Sequence, residues 1–356
     1  MAQKNGLNSH TKTGPLIDDP LLRSQRVQFT TSSDEKIDLE AVFQDTLPSG
    51  SQLGTVIGIH GAPGSHKDFK YVMPFVREKG IRFIAVNMPG FGLTPDDPRL
   101  KYDNVERDDF VHQLLATLGI SSRVVMMGHS RGSENAIKVA ARNTDKVCGL
   151  VLLNPTGLRP HKGIRPLWVI KLFMWFYSLG PIAEMILNPV VKFLTNNVFG
   201  YRIDTGRRAA MCTQTVCNLE FASLLPSINT INEAKNVRVL VAYSGKDKLI
   251  ETGVSQELAN SFHDRKELTC KDRTNEAEKE SIKRLRNLFS IGTKAVSINF
   301  EEDGHFLQRD RASFIAESIE ALLQTTLSIV PLLERWDPVL LAPHKTLSGR
   351  ANTMGE

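Results

Sequence analysis

Five consecutive residues, Gly128-His129-Ser130-Arg131-Gly132, form the pattern G-x-S-x-G between the strand-like run VVMM and the helical pattern RGSENAIKVAAR. A strand, a tight turn and a helix in this order place the serine on a sharp turn, so that its hydroxyl projects clear of the sheet. A side chain at either flanking glycine would collide with neighbouring elements. The following helix directs backbone N–H groups at a reacting oxygen. We therefore predict that Ser130 is a nucleophile.

A base for this serine is offered by His305. A serine hydroxyl needs a neighbouring base to become nucleophilic at neutral pH. His305 stands in the segment EDGHF, after the strand pattern AVSINF and before the last predicted helix. Because loops at the carboxyl ends of parallel strands converge at one edge of a sheet, we predict that His305 reaches Ser130.

The acid that orients this base is expected between the serine and the histidine in chain order. Asp247 fits, because it follows the strand pattern VRVLVAY in the segment YSGKD. A buried carboxylate there would accept the second ring proton of His305 and stabilise the imidazolium. Two other interpretations stay open. Asp247 could be the N-cap of the next helix, or the residue that orients His305 could be Asn154, an uncharged amide at the end of the preceding strand.

An oxyanion site requires two backbone N–H donors. We predict one from Arg131 and the other from Ala62 in the loop HGAPG, where Pro63 has no N–H. The residues predicted to line the substrate pocket are His60, Gly61, His129, Trp168 and Phe173. Of these, His60 and His129 are expected to pack beside the site and orient its loops, without taking part in the reaction.

Strand patterns alternate with helical patterns along most of the chain. Eight segments have the alternating or continuous apolar pattern of strands: 26–31, 37–43, 54–60, 81–87, 123–127, 147–153, 237–243 and 295–300. Such alternation predicts an α/β fold with a mostly parallel eight-stranded sheet, helices on both faces and an inserted helical cap.

The organisation of the chain follows from where this alternation is interrupted. The predicted parts are a disordered lead (1–22), an α/β core (23–154 and 236–327), a helical cap (155–235) and a tail (328–356). A second, highly charged segment, 265–292, has charges at helical spacing and is predicted to be a solvated surface helix.

Composition restricts the partners and the compartment. The 356 residues are 41% hydrophobic and 23% charged, with a formal net charge of +5. No aromatic-plus-basic module accompanies this mild charge, so no nucleic-acid partner is predicted. Four cysteines without C-x-x-C spacing favour a reduced compartment, and neither a metal site nor a cofactor is predicted. The polar N-terminus has no apolar signal core, so cytoplasmic residence is expected.

Five motifs occur in a characteristic order: HGAPG, NMPGFGLT, GHSRG, SGKD and DGHF. In this order they resemble the α/β-hydrolase superfamily, over roughly residues 25–325. The HG-x-P loop is similar to that of epoxide hydrolases, but those use an aspartate nucleophile where this chain has Ser130, so epoxide opening is not implied. Asn87 replaces the acid of the D-x-P-G-x-G turn, a departure that affects a structural turn and not the triad.

The resemblance implies hydrolysis of an ester, thioester, amide or carbon–carbon bond. We expect a serine hydrolase that forms an acyl-enzyme on Ser130 with a small substrate carrying an apolar part. Two alternatives stay open: a non-catalytic member that binds a small apolar ligand or a partner, and a carbon–carbon bond hydrolase. The sequence does not indicate an oligomeric state.

The predicted cap begins with a basic cluster followed by the apolar run LWVIKLFMWFY. The run is shorter than the roughly 20 residues of a membrane-spanning helix, so we predict a cap helix whose inner face lines an apolar pocket. A second hypothesis is peripheral membrane contact through this cap. It assigns the interface to Trp168, Trp175 and Tyr177 and the anionic headgroups to Arg159, Lys162 and Arg165.

Overall fold

A single nine-stranded sheet forms the centre of the computed structural model, which describes residues 19–198 and 202–333. The strand order is β1-β2-β4-β3-β5-β6-β7-β9-β8; β1–β2 and β2–β4 pair antiparallel and all other pairs are parallel. The strands are β1 Leu22–Thr30, β2 Lys36–Asp45, β3 Thr55–Ile59, β4 Arg82–Val86, β5 Val124–His129, β6 Val147–Leu153, β7 Arg238–Ser244, β8 Arg265–Cys270 and β9 Ala295–Phe300.

Helices cover both faces of this sheet, as the continuous apolar runs of the central strands predict. In β5, Val124 and Met126 belong to one buried cluster, and Val125 and Met127 belong to another. The helices are α1 Val72–Glu78, α2 Asn104–Thr117, α3 Gly132–Arg142, α4 Leu167–Tyr177, α5 Pro181–Phe193, α6 Gly206–Cys217, α7 Leu224–Glu233, α8 Thr252–Asn260, α9 Asn275–Ser290, α10 Leu307–Asp310 and α11 Ala312–Leu333.

The predicted strand number was wrong by one, because β8 lies inside the charged segment that was predicted to be wholly a surface helix. Only Leu268 and Cys270 of β8 are buried, and the other side chains are partly or fully exposed. An edge strand has one neighbour and tolerates charged side chains, so it lacks the apolar run of a central strand. The helical part of the prediction is met by α9, which packs Leu285 and Phe289 against the core.

Part of the predicted lead is ordered, and the predicted tail, which was expected to be ordered only in part, begins within a helix. Strand β1 begins at Leu22, so residues 19–22 of the predicted lead are not disordered; residues 1–18 of that lead lie outside the described residues. Helix α11 continues to Leu333, into the predicted tail, and the remainder of the tail, 334–356, lies outside the described residues.

Helices α4 to α7 lie in the insertion between β6 and β7. Helix α4 ends at Tyr177, and Gly180, at φ 123°, provides the turn into α5. Helix α7 packs beside α3 and contributes Ile228 and Ile231 to the core cluster. It therefore belongs to the layer that covers the sheet. None of the helices in the described ranges is both long and apolar enough to cross a bilayer.

Candidate active site

Ser130 occupies the turn between β5 and α3 with a φ of 50°. This left-handed conformation is unfavourable for a residue other than glycine and persists only where the surroundings enforce it. The Ser130 N–H donates to Leu153 O of the neighbouring strand at 2.9 Å, and its carbonyl accepts from the Ser133 N–H at 3.0 Å. These bonds hold the residue at the carboxyl edge of the sheet.

The two glycines around Ser130 are required by close backbone approach. A Cβ added at Gly132 would lie 2.3 Å from Ile59 O, and one added at Gly128 would lie 2.6 Å from Ser133 Cα. Real Cβ atoms do not occupy such positions, so β5, α3 and β3 approach this closely only because both residues lack side chains. The crowding that the motif predicts is thus present.

The structure brings His305 and Asp247 together. His305 Nδ1 lies 2.7 Å from Asp247 Oδ2, and the other carboxylate oxygen accepts N–H groups of Leu249 at 2.7 Å and Ile250 at 3.1 Å. Burial alone would raise the pKa of Asp247, but the hydrogen bond and charge of His305 and the two N–H donors together hold it below its ordinary value. The N-cap of α8 is Glu251, so the capping role considered for Asp247 is not observed.

The loop carrying His305 is fixed to the residue that precedes Ser130. Within the described part of the chain, Ser130 Oγ does not donate a hydrogen bond to the His305 ring. The His129 ring centroid lies 4.9 Å from that of His305, and Asn154 Nδ2 donates to His305 O at 2.9 Å. These contacts hold the His305 loop beside the Ser130 turn without a Ser130–His305 hydrogen bond in the described ranges.

His60 and His129 are buried neutral rings that support the loops of the site. His60 Nε2 accepts the Met88 N–H at 3.1 Å, so its protonated Nδ1 donates to Gly61 O at 2.6 Å. His129 Nδ1 accepts from Gln308 at 3.2 Å, so its Nε2 donates to His305 O at 2.9 Å. Burial lowers the pKa of each ring to about 3.

Ala62 and Arg131 line one cavity together with Ser130. In the described part of the chain, neither N–H donates to a protein acceptor. A Cβ added at Gly61 would lie 3.3 Å from Ser130 Cβ, so this loop passes directly beside the serine. The two predicted oxyanion donors thus lie on either side of Ser130 with their N–H groups unused by the described backbone acceptors.

The cavity above Ser130 has a volume of about 290 Å³ and is mainly apolar. Of the five predicted pocket residues, Phe173 lines the cavity, whereas His60, Gly61 and His129 are not among its lining residues, which corrects their prediction. Trp168 was wrongly placed in the pocket: it is 67% exposed, and its neighbours Val169 and Ile170 face the cavity. The sequence did not identify the lining residues of α5, of the turn that follows it and of α6, which are Val191, Leu194, Thr195, Cys212, Thr213 and Val216.

The buried side chain of Arg131 connects the serine turn to the cap. Arg131 contacts Glu134 at 3.0 Å, and both side chains are almost fully buried. Arg131 Nε also donates to Thr215 O of α6 at 2.9 Å. Arg131 therefore carries one predicted oxyanion donor on its backbone, and its side chain holds α6, which lines the cavity. The sequence did not suggest this link.

The basic side chains before α4 form ion pairs and a hydrogen bond with other parts of the protein. Arg159 pairs with Glu257 at 2.6 Å, Arg165 pairs with Glu251 at 2.6 Å, and Lys162 Nζ donates to Asp247 O at 2.9 Å. These contacts fix the start of the cap to the loop of the proposed acid. The expectation that this cluster meets lipid headgroups is not supported by its contacts.

One family model and two relatives are similar to this chain over different lengths. A family model described as an alpha/beta hydrolase of unknown function (DUF1057) matches residues 19–324. An uncharacterized protein of Caenorhabditis elegans is 31% identical over 312 residues, which are 85% of this chain and 87% of that protein. A protein of Mus musculus named sn-1-specific diacylglycerol lipase is 28% identical over 139 residues, 38% of this chain and 44% of its own.

Solved structures show the same fold at low sequence identity. A haloalkane dehalogenase of Bradyrhizobium elkani has a TM-score of 0.58 and 18% identity, covering 86% of this chain and 99% of its own. A thermophilic esterase of Thermogutta terrifontis has a TM-score of 0.54 and 16% identity, covering 85% and 99%. At this identity the likeness concerns the fold alone.

Proposed function

The chain belongs to the α/β-hydrolase family whose model matches residues 19–324, and from this premise we propose that it is a serine hydrolase. Its target would be an ester, thioester or amide bond, with a carboxylic ester favoured. The observation that supports this most is the 2.7 Å contact between His305 Nδ1 and Asp247 Oδ2, in a loop fixed beside a serine of left-handed conformation.

In the proposed mechanism, Ser130 Oγ attacks the carbonyl carbon while His305 Nε2 takes the hydroxyl proton. Asp247 holds the Nδ1 proton and stabilises the imidazolium. The N–H groups of Arg131 and Ala62 bind the oxyanion. His305 then protonates the leaving group, and a water molecule, activated by the same ring, releases the acyl group from Ser130.

The cavity favours a substrate with an apolar acyl or alkyl part. Its volume of about 290 Å³ is at the lower end of small-molecule sites, and Phe173, Val191 and Val216 line it. The partial match to a protein named as a diacylglycerol lipase supports an ester over an amide. We therefore infer a preference for short to medium acyl chains.

A reducing compartment such as the cytoplasm is the proposed setting. All four cysteines, Cys148, Cys212, Cys217 and Cys270, are buried thiols that form no disulfide with one another. Secreted proteins usually use cysteines in disulfides, whereas thiols of reducing compartments act as small buried apolar groups.

Turnover of p-nitrophenyl esters of increasing chain length tests the proposed activity. We expect the wild type to hydrolyse them, with kcat/KM rising with chain length and then falling when the acyl group exceeds the cavity. Ser130→Ala should lower kcat by roughly 10⁴-fold or more. Ser290→Ala is the matched control, because its hydroxyl is exposed and donates only to Asn287 O.

If Ser130→Ala retained wild-type turnover, the nucleophile would lie elsewhere. If the wild type bound p-nitrophenyl esters without hydrolysing any, a non-catalytic binding protein would be the better description.

A further inference from the structure

The outward faces of α4 and α5 are apolar. In α4 the exposed side chains include Trp168, Leu172 and Trp175, spaced at three to four residues, and in α5 they include Ile182 and Met185. Together we call these the outer cap face: Trp168, Leu172, Trp175, Phe176, Leu179, Ile182, Met185, Ile186 and Phe193. Ile182, at 73%, and Met185, at 68%, are among its most exposed members.

A solvated helix carries polar residues on the face opposite to the core. In α4 the inward positions, Ile170, Phe173 and Met174, are apolar as well, because they pack in the core or line the cavity. Both sides of this helix are therefore apolar, and the outer side is uncovered by any described residue. Contiguous exposed apolar surface of this kind marks an interaction site.

Charge distinguishes between possible occupants of this face. Residues 155–203 contain six Lys or Arg residues and a single acidic residue, Glu184. Three of the six, Arg159, Lys162 and Arg165, are already bound to Glu257, Asp247 O and Glu251. Lys171 and Lys192 lie among the exposed positions of α4 and α5, and neither forms an ion pair within the described ranges. A second copy packed face to face would bring these lysines together in an apolar interface, which is unfavourable. Anionic lipid headgroups would neutralise them.

The outer cap face is continuous with the mouth of the cavity. Val169 is 44% exposed and Leu194 is 37% exposed, and both also line the cavity above Ser130. An amphiphile held at this face could therefore enter the cavity without passing its apolar part through water.

We propose that the outer cap face docks on the surface of a lipid bilayer that contains anionic lipids, and that an ester lipid enters the cavity from that bilayer. Trp168 and Trp175 lie at the interface, and Lys171 and Lys192 contact headgroups. Tyr177 is not part of this face, because its hydroxyl donates to Asn188 Oδ1 at 2.9 Å. The docking is independent of the catalytic role of Ser130, whereas the entry of an ester lipid rests on the proposed function.

Vesicle co-sedimentation tests the docking. The full chain is mixed with vesicles of phosphatidylcholine, or of phosphatidylcholine and phosphatidylserine at roughly three to one. We expect sedimentation with the anionic vesicles and at least a ten-fold weaker affinity after Trp175→Glu with Ile182→Glu. Lys171→Glu and Lys192→Glu should each reduce the affinity by about five-fold at low salt. Leu53→Glu with Ile291→Glu is the control, since both residues are exposed apolar positions elsewhere.

A water-soluble short-chain p-nitrophenyl ester separates docking from catalysis. Trp175→Glu with Ile182→Glu should turn over this ester as the wild type does, while hydrolysis of an ester lipid in vesicles falls at least ten-fold. Sedimentation without any esterase activity would leave the docking intact and remove the proposed function.

Failure of the wild type to sediment with either vesicle would overturn the docking proposal. So would a wild-type dimer that the same double substitution converts to a monomer, because a second copy would then cover the face.

Discussion

At the residue scale, the proposed role of His305 as a base depends on the negative charge of Asp247 beside its ring. The carboxylate is almost fully buried, yet its pKa stays below the ordinary value because His305 and two backbone N–H groups interact with the charged form. It therefore remains charged at neutral pH. An amide at this position would keep a similar shape but could not stabilise an imidazolium.

Asp247→Asn is accordingly expected to lower kcat by about 10²–10⁴-fold, because it removes this charge and favours the wrong tautomer of His305. Steady-state turnover of a p-nitrophenyl ester measures the effect. Glu251→Gln is the matched control, since Glu251 is the nearest alternative acid in the sequence and pairs with Arg165 at 2.6 Å. Equal losses in the two variants would argue against the assigned role of Asp247.

Asp68, beneath the loop of Ala62, gives a prediction about pH. It lies in the short turn His66–Phe69, and burial raises its pKa to about 7. The folded state then holds a proton that the unfolded state has lost above about pH 4. The stability associated with this proton is fully present below about pH 4 and is lost as the pH rises towards 7.

Asp68→Asn should therefore raise the free energy of unfolding by about 1–2 kcal/mol above pH 7 and change it little near pH 4. Urea unfolding at several pH values measures this. Asp145→Asn, at an exposed position, controls for the loss of a surface charge. A stabilisation that did not depend on pH would contradict the burial of a titrating Asp68.

The placement of Ser130, His305 and Asp247 at one edge of the sheet could be predicted from the sequence, because each follows a strand with a continuous apolar run. The cavity side chains were predicted less well. In α4 almost every side chain is apolar, so periodicity does not fix which face turns inward, and Trp168 was placed on the wrong side.

At the element scale, the approach of α3 to β3 sets the position of the serine turn. Gly132 faces Ile59 O and His60 O, which are backbone atoms and cannot rotate aside. Any side chain at this position would push α3 away from the sheet and move Ser130 relative to the loop of Ala62.

Gly132→Ala should lower the free energy of unfolding by about 1–3 kcal/mol or more and reduce esterase activity. Thermal unfolding and ester turnover measure the two effects. Gly253→Ala is the matched control: it lies in α8 with no atom near its added Cβ, and it should stabilise by about 0.5–1 kcal/mol. A harmless Gly132→Ala would show that this close approach is not required.

The central strands could be predicted from the sequence, whereas the edge strand β8 could not. Strands buried on both faces have continuous apolar runs, and all of those in the described chain were predicted. Strand β8 has only six residues, RKELTC, of which the first three are charged, and a charged helix follows it. Only its pairing with β9 identifies it as a strand.

At the scale of the whole molecule, the sheet brings three distant segments to one edge. Among the parallel strands, β7 and β9 are neighbours and β6 lies between β5 and β7. The loops that follow β5, β7 and β9 carry Ser130, Asp247 and His305. The fold class followed from alternation of elements, but the direction of the cap helices did not, because it depends on contacts such as Arg131 with Thr215.

The central claim is that Ser130 is an activated nucleophile, and covalent labelling by a fluorophosphonate tests it most directly. The wild type is treated with the probe, digested and analysed by mass spectrometry. We predict a single adduct on the peptide that contains Ser130, with labelling lost in Ser130→Ala and strongly slowed in Asp247→Asn. An unlabelled wild-type protein that is folded, or an adduct on another serine, would contradict the account.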